Sequence, residues 1–289
     1  DVYKRQTMDK LLEVKHLHKT MANSEFQIKD ISFEVSEGET VALIGNNGSG
    51  KSTTINTILG DYIKDSGIIK FFGNEIGQED YTYKDYIGVV FDELKLTKKL
   101  PIFRVNSIMD AMYQSWDSKQ FFKLLKFFNL PEKRRVETLS RGMSMKLAIA
   151  IALSHNSRLL ILDEATAGLD ASSREQVLEL LEDFVDQGNG IVLSSHISED
   201  IETIADRLVF LRDGAIVMNV SKQYLYDNYG VIEMTADEFN KIDSNSVYAY
   251  NGRKGYVRAL VYKDKADFKV NDINNVDQVT KILMRGETA

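Results

Sequence analysis

"GNNGSGKST", residues 45–53, is the stretch on which the fold reading turns. It follows the apolar run "TVALIG" and leads into "KSTTINTILGDY", so a strand enters a glycine-rich loop and a helix leaves it. Gly45, Gly48 and Gly50 let the backbone N–H groups of this loop, those of Asn46, Asn47, Ser49 and Thr53 among them, close around phosphate oxygens. Lys51 adds a point charge for the β- and γ-phosphates, and the Ser52 hydroxyl is placed to ligate Mg2+. Gly45-x-x-x-x-Gly50-Lys51-Ser52, with a strand before and a helix after, satisfies the phosphate-loop pattern in its required context.

Downstream, "LLILDE", 159–164, sets four apolar residues before two acids. It reads as a buried strand beside the phosphate-loop strand, with Asp163 at its end holding Mg2+ through water. Glu164, one step further, is placed to polarise an attacking water. A second phosphate-binding end then needs explaining. "LSRGMSMKLAIAIALSH", 139–155, puts Ser140 and Gly142 at the start of an apolar helix, where free N–H groups and the helix dipole face an anion.

The chain has 289 residues, 43% hydrophobic and 27% charged, which fits a soluble globular protein of about two domains. Net charge is −7, so no basic surface announces nucleic acid, and none is expected as a partner. There is no Cys, which removes disulfides and thiolate zinc sites. The longest apolar run, "LAIAIAL" at 147–153, falls far short of the ~20 residues of a spanning helix. The opening "DVYKRQ" reads as a translated sequencing adapter or a disordered terminus. Residues 1–7 are therefore expected to carry no function, with Met8 as the natural start.

Strands are expected over 10–19 and 26–45, a hairpin around Phe72-Gly73-Asn74, and a strand in "DYIGVVFDEL", 85–94. From about 97 to 156 the spacing turns helical, interrupted at Pro101 and Pro131, and reads as a helical insertion. Strands and helices then alternate to about 220, which implies a largely parallel sheet covered on both faces. Residues 221–289 read as a small α+β appendage: a strand and helix, a hairpin turning at Asn251-Gly252 or Lys254-Gly255, and a last helix.

Over residues 10 to about 220 the chain resembles the ATP-binding subunit of an ABC transporter. "GNNGSGKST" matches Walker A, "LLILDE" Walker B, "LSRGM" the signature loop, "AGLD" the D-loop, and His196 in "LSSH" the switch histidine. The resemblance implies an α/β P-loop NTPase cassette over 8–220, with a largely parallel core, an antiparallel β portion and the helical insertion. It also implies ATP and Mg2+ as ligands, Glu164, His196 and Lys51 in catalysis, and two cassettes packed head to tail. Ser140 and Gly142 would then contact the partner's ATP, which accounts for the second phosphate end, and Asp170 would sit at the interface. The Ser-Arg-Gly-Met form resembles the export-associated group with separate ABC-2-type membrane subunits, and places the chain on the cytoplasmic face of the membrane. A soluble ABC ATPase acting on ribosomes or DNA is the alternative. Its relatives carry two cassettes or a long coiled-coil insertion, and neither is present here.

Four departures from the family pattern stand out. Arg141 and Met143 replace Gly and Gln in the signature, and Asp92 stands where a glutamine is usual, still able to reach Mg2+. Ala165 replaces a proline after Glu164. The aromatic expected on the adenine is represented by Met21, with Phe26 as second candidate. The surface between the sheet core and the helical insertion, near Asp92 to Val105, is expected to dock a short helix of the membrane subunit, because "LKLTKKLPIFRV" sets Leu100, Ile102, Phe103 and Val105 in a stretch too irregular to bury them all within a helix.

Overall fold

The computed structural model describes residues 9–22, 25–77 and 82–288; the expected leader, 1–7, and Met8 lie outside them. The first strands are β1 (Lys10–Thr20), β2 (Gln27–Ser36) and β3 (Thr40–Ile44), followed by helix α1 (Lys51–Ile58). Next come β4 (Ser66–Phe71), β5 (Asn74–Glu75) and β6 (Ile87–Val90). The helical insertion is α2 (Ile102–Met112), α3 (Ser118–Phe127) and α4 (Arg141–Ala152). Alternation resumes with β7 (Leu159–Asp163), α5 (Ala171–Asp186), β8 (Gly190–Ser194), α6 (Ser198–Ile204), β9 (Arg207–Arg212) and β10 (Ala215–Ser221). The C-terminal part is α7 (Lys222–Asn228), β11 (Tyr229–Thr235), α8 (Ala236–Phe239), β12 (Val247–Arg253), β13 (Tyr256–Tyr262), α9 (Val276–Leu283) and β14 (Glu287–Thr288).

Three sheets result. The central one has six strands in the order β10-β9-β3-β8-β7-β6, parallel throughout except for the β9–β10 hairpin. One correction follows directly: the strand ending in Asp163 does not lie beside the P-loop strand. β8 runs between β3 and β7, pairing Ala42 with Leu193 on one side and Leu193 with Leu162 on the other. Two buried apolar strands in one sequence share no visible signal of which third strand separates them.

Period-two alternation sorts each central strand between two faces. Val41, Leu43, Ile161, Val192 and Val209 pack against the antiparallel sheet β2-β1-β4-β5 and α1. Leu160, Leu162, Ile191 and Leu193 meet the insertion helices and α5. Nearer β9, Ala42, Ile44, Leu208 and Phe210 share a core with Leu225, Ala249, Leu260 and the α9 residues Val276, Val279 and Ile282. The appended segment thus covers a sheet face through this shared core, and Ile232, Val247, Ala259 and Val261 form a second, small core that is its own. Arg212 Nη1 donates to the carbonyl of Leu283 at 2.7 Å, and Tyr248 OH to that of Val217 at 2.6 Å, which ties the two parts together.

Pro101 serves as the N-cap of α2, where a missing N–H costs nothing. Lys254 and Gly255, both at positive φ (52° and 82°), make the β12–β13 turn, which settles the two sequence alternatives. The reading of "LPIFRV" is corrected as well. α2 buries Ile102 and Val105 completely and Leu100 is half-buried, so only Phe103, 41% exposed, faces solvent. The helix begins one residue after the proline, early enough to turn both branched side chains inward.

Candidate nucleotide site

The loop from Gly45 to Gly50 follows directly from the fully buried β3 and opens α1. Gly45 has no alternative: a Cβ there would lie 2.4 Å from the Leu211 carbonyl oxygen and from Ser49 Oγ. Gly50 caps α1 at φ 112°, a conformation that excludes a side chain, and offers no side-chain acceptor to the first-turn N–H groups. Ser49 Oγ is buried with no hydrogen-bond partner, an orphaned polar atom inside a phosphate cradle.

Lys51 is buried, and its ammonium donates to the carbonyl oxygens of Gly45 at 2.8 Å and Asn46 at 3.4 Å. Burial pushes its pKa below the ordinary lysine value, and the negative charges of Glu164 and Asp163 work against that shift. Two loop carbonyls hold the charge where a phosphate would take it up.

Across the loop, Asp163 is buried at the end of β7, and Ser194 Oγ donates to its Oδ1 at 2.5 Å. Ser194 belongs to β8, so the strand whose place between β3 and β7 the sequence did not show is the one that orients Asp163. Ser52 is exposed on α1. One hydroxyl and one carboxylate suit a hard cation that takes its remaining ligands from phosphate and water, so the donor set fits Mg2+. Among the described residues no cluster of three or more His, Cys, Asp or Glu forms a metal cage.

Glu164 follows at φ 55°, a left-handed conformation that costs a non-glycine residue free energy. Its N–H donates to the Ser194 carbonyl at 3.0 Å, and its Oε2 receives the Nδ1–H of His196 at 2.5 Å. Two of the three side chains named for catalysis, Glu164 and His196, therefore touch. His196 is exposed and lines, with Asn46, Asn47 and Ser195, a cavity of about 560 Å3 whose far wall is α9, through Lys281, together with Arg285 just beyond its end. A larger cavity, about 840 Å3, lies between the C-terminal sheet and α9, where Arg258 pairs with Glu233 and Lys281 with Asp277.

Ser140 caps α4, its Oγ accepting from Met143 N at 3.2 Å, and stays exposed. Gly142 packs against the "AGLD" turn: a Cβ on it would meet the Gly168 carbonyl oxygen at 3.2 Å. The stem of Arg141 lies over Gly168, so this departure from the family pattern ties signature to D-loop within one chain. Asp170 caps α5, accepting from Ser173 N at 2.9 Å, and this backbone hydrogen bond holds its pKa below the usual aspartate value. Neither Ser140, Gly142 nor Asp170 touches the P-loop of its own chain in the contacts above. Asp92 stands exposed two residues past β6. Of the two adenine candidates, Phe26 lies at the loop, its ring edge 3.2 Å from where a Gly50 Cβ would be, while Met21 bonds to it across the turn, N to O at 3.1 Å.

Sequence reasoning missed Ser194 and a buried polar group around Asp200, which joins Thr166, Ser195 and Arg174. The only available signal was an acid in the first turn after "SSH", which also reads as ordinary helix-dipole compensation.

A parallel sheet with a glycine loop feeding a helix, and acids at the end of a nearby strand, defines a P-loop nucleotide hydrolase. The ABC transporter family profile matches residues 28–167. The linearmycin resistance ATP-binding protein LnrL of Bacillus subtilis is 34% identical over 222 residues, 74% of this chain and 71% of that protein. The lantibiotic transport ATP-binding protein SrtF of Streptococcus pyogenes is 33% identical over 216 residues, 74% and 91% of the two chains. A solved dimeric ATP-binding cassette in a post-hydrolysis state, bound to ADP and Pi, superposes with a TM-score of 0.65 at 25% identity, covering 73% of this chain and 98% of that one. The chain belongs to the ATP-binding subunits of ABC transporters, and is a nucleotide-binding ATPase of that family.

Proposed function

We propose that the chain is the motor subunit of an exporter: two copies, or this chain and a close relative, close head to tail around two ATP molecules and drive separate ABC-2-type membrane subunits. The observation that carries the catalytic half is the 2.5 Å contact between His196 Nδ1 and Glu164 Oε2 at the mouth of the P-loop. In this reading the loop N–H groups from Asn46 to Thr53 and Lys51 bind the phosphates, and the lysine's two carbonyl contacts give way to them. Ser52 and Asp163, with Asp92 as a further candidate, would hold Mg2+, which would supply charge neutralisation on the phosphates. Glu164 takes a proton from the attacking water, and His196 holds Glu164 and the γ-phosphate end in place. Phe26 packs on the adenine, with Met21 behind it.

Ser140 and Gly142 serve the partner's ATP, and Asp170 sits at the interface. The exposure of Ser140 and Asp170, and the separation of all three from their own P-loop, support this, as does a dimeric solved relative. The names of the two relatives, one a resistance protein and one a lantibiotic transport protein, support export. Residues 8–220 act as the cassette and 221–289 as an accessory domain. No helix among the described residues is long and apolar enough to cross a membrane, in keeping with a peripheral subunit held at the cytoplasmic face by its partners. Exposed Phe103, at the start of α2, is the docking point we assign to the membrane subunit.

Calorimetry in Mg-ATP tests the nucleotide half. Lys51→Ala removes the only lysine in the cradle and is expected to weaken ATP binding at least tenfold, about 1.4 kcal/mol. An unchanged dissociation constant would overturn the assigned phosphate site.

A further inference from the structure

Asp200 is a fully buried carboxylate in the first turn of α6, close to the site yet outside the machinery described above. Each of its contacts leads to a loop that matters. Thr166 Oγ1 donates to its Oδ2, and Thr166 stands two residues after Glu164. Ser195 Oγ reaches the same oxygen at 3.5 Å, and Ser195 immediately precedes His196. The Ser195 hydroxyl also accepts from Ile197 N at 3.0 Å, so the switch loop is folded around it. Thr166 and Ser195 are buried as completely as Asp200.

The other oxygen, Oδ1, has no hydrogen-bond partner, and neither does Nε of Arg174, 3.8 Å away. Arg174 lies on α5, one turn beyond its Asp170 cap. Two buried, oppositely charged atoms without partners are held just beyond bonding range. A shift of the α5 start by about 1 Å would close that gap to an ordinary hydrogen bond. Burial raises the pKa of Asp200 above the usual aspartate value, with Thr166 and Arg174 opposing it.

We propose that Asp200 is a positioning residue: it clamps the loop after Glu164 to the loop before His196, and so sets their contact. Arg174 then links that clamp to the D-loop end of α5, which makes the Glu164–His196 geometry responsive to what meets Asp170. The physical reason for a carboxylate is that it accepts from both hydroxyls while keeping a second oxygen for the guanidinium. Backbone strain at Glu164, φ 55°, gives the loop a reason to need such an anchor. This inference rests on the catalytic reading proposed above.

The test measures steady-state phosphate release from Mg-ATP by the full chain, with ATP binding stoichiometry and melting temperature on the same samples. Asp200→Ala is expected to lower kcat about tenfold or more with KM for ATP within about twofold, since misplacement of reacting groups costs rate more than binding. Asp200→Asn, whose amide oxygen still accepts from Thr166 and Ser195, should restore kcat to within about fivefold of wild type. Thr166→Val should lower kcat in the same direction with KM unchanged. A purely structural role would instead lower binding stoichiometry and activity together and leave kcat per intact site unchanged; that result overturns the proposal. So does a folded Asp200→Ala with wild-type kcat, or an Asn variant no better than Ala. Should Asp200→Ala fail to fold, wild-type kcat in both Asp200→Asn and Thr166→Val is equally decisive against it. Glu164→Gln run in parallel separates the two failures. If it is inactive while Asp200 variants match wild type, the catalytic reading stands and the clamp falls; if wild type itself releases no phosphate, both fall.

Discussion

Replacing Glu164 by Gln removes the proposed proton acceptor and little else. The side chain keeps its length, and the amide oxygen can still accept from His196 Nδ1–H where Oε2 now does at 2.5 Å. The backbone bond from Glu164 N to the Ser194 carbonyl, 3.0 Å, is independent of the side chain, and both residues have the same Cβ to carry at φ 55°. The fold should therefore keep its stability to within about 0.5 kcal/mol. Catalysis should fall by ~10²–10⁴, the usual worth of a general base, which is about 3–5 kcal/mol of barrier. ATP binding should hold or tighten, because a negative charge that acts on Lys51 also repels the incoming phosphates. Phosphate release at saturating Mg-ATP, read beside calorimetric binding, separates the two effects. Turnover at the wild-type rate would remove Glu164 from the mechanism. Lost turnover accompanied by equally lost binding would mean the residue acts on the phosphate site and not on water.

Phe103→Asp, at a side chain already 41% exposed, should leave stability within about 1 kcal/mol yet uncouple ATPase from the membrane subunit; a melting temperature lower by several degrees would mark it as a core plug instead. His155 is buried against Tyr113 with ring centroids 4.2 Å apart, and burial pushes its pKa below the ordinary histidine value. Above about pH 6.5 it is neutral in both folded and unfolded chains. As pH falls below that, the unfolded chain takes up a proton that the folded chain resists, so stability drops by up to about 1.4 kcal/mol per pH unit. Urea unfolding at pH 7.5 and 5.5 should show His155→Gln with a shallower pH dependence than wild type; equal slopes would show that His155 contributes none of it.

Much of this site was legible in the sequence because its chemistry is local. The glycines, Lys51 and Ser52 lie within eight positions, and backbone geometry does the rest. The helices of the insertion and the strand–helix alternation were readable from periodicity for the same reason. What stayed hidden depends on strand order and on distant pairs. Nothing in "LLILDE" tells that β8 intervenes, so the Ser194–Asp163 bond could not be foreseen. The length of α2 hid the fate of Ile102 and Val105, since a helix beginning directly after a proline buries side chains that a loop would leave exposed. The sharing of one core by the appendage and β3 and β9 lies on side chains such as Phe210 and Ile282, separated by some 70 positions, a distance over which no periodicity speaks.

The central claim is that each signature loop serves the nucleotide held by a second cassette, which for two copies of this chain is the other copy. Sedimentation velocity of Glu164→Gln, with and without Ser140→Asp, in Mg-ATP tests it. Aspartate caps a helix as well as serine does, so the start of α4 should stay intact while a negative charge is set where the partner's γ-phosphate would lie. The account predicts an ATP-dependent dimer for Glu164→Gln and a monomer for the double variant, with the two binding ATP equally well as monomers. A double variant that dimerises as readily, or that binds ATP more weakly as a monomer, would contradict it.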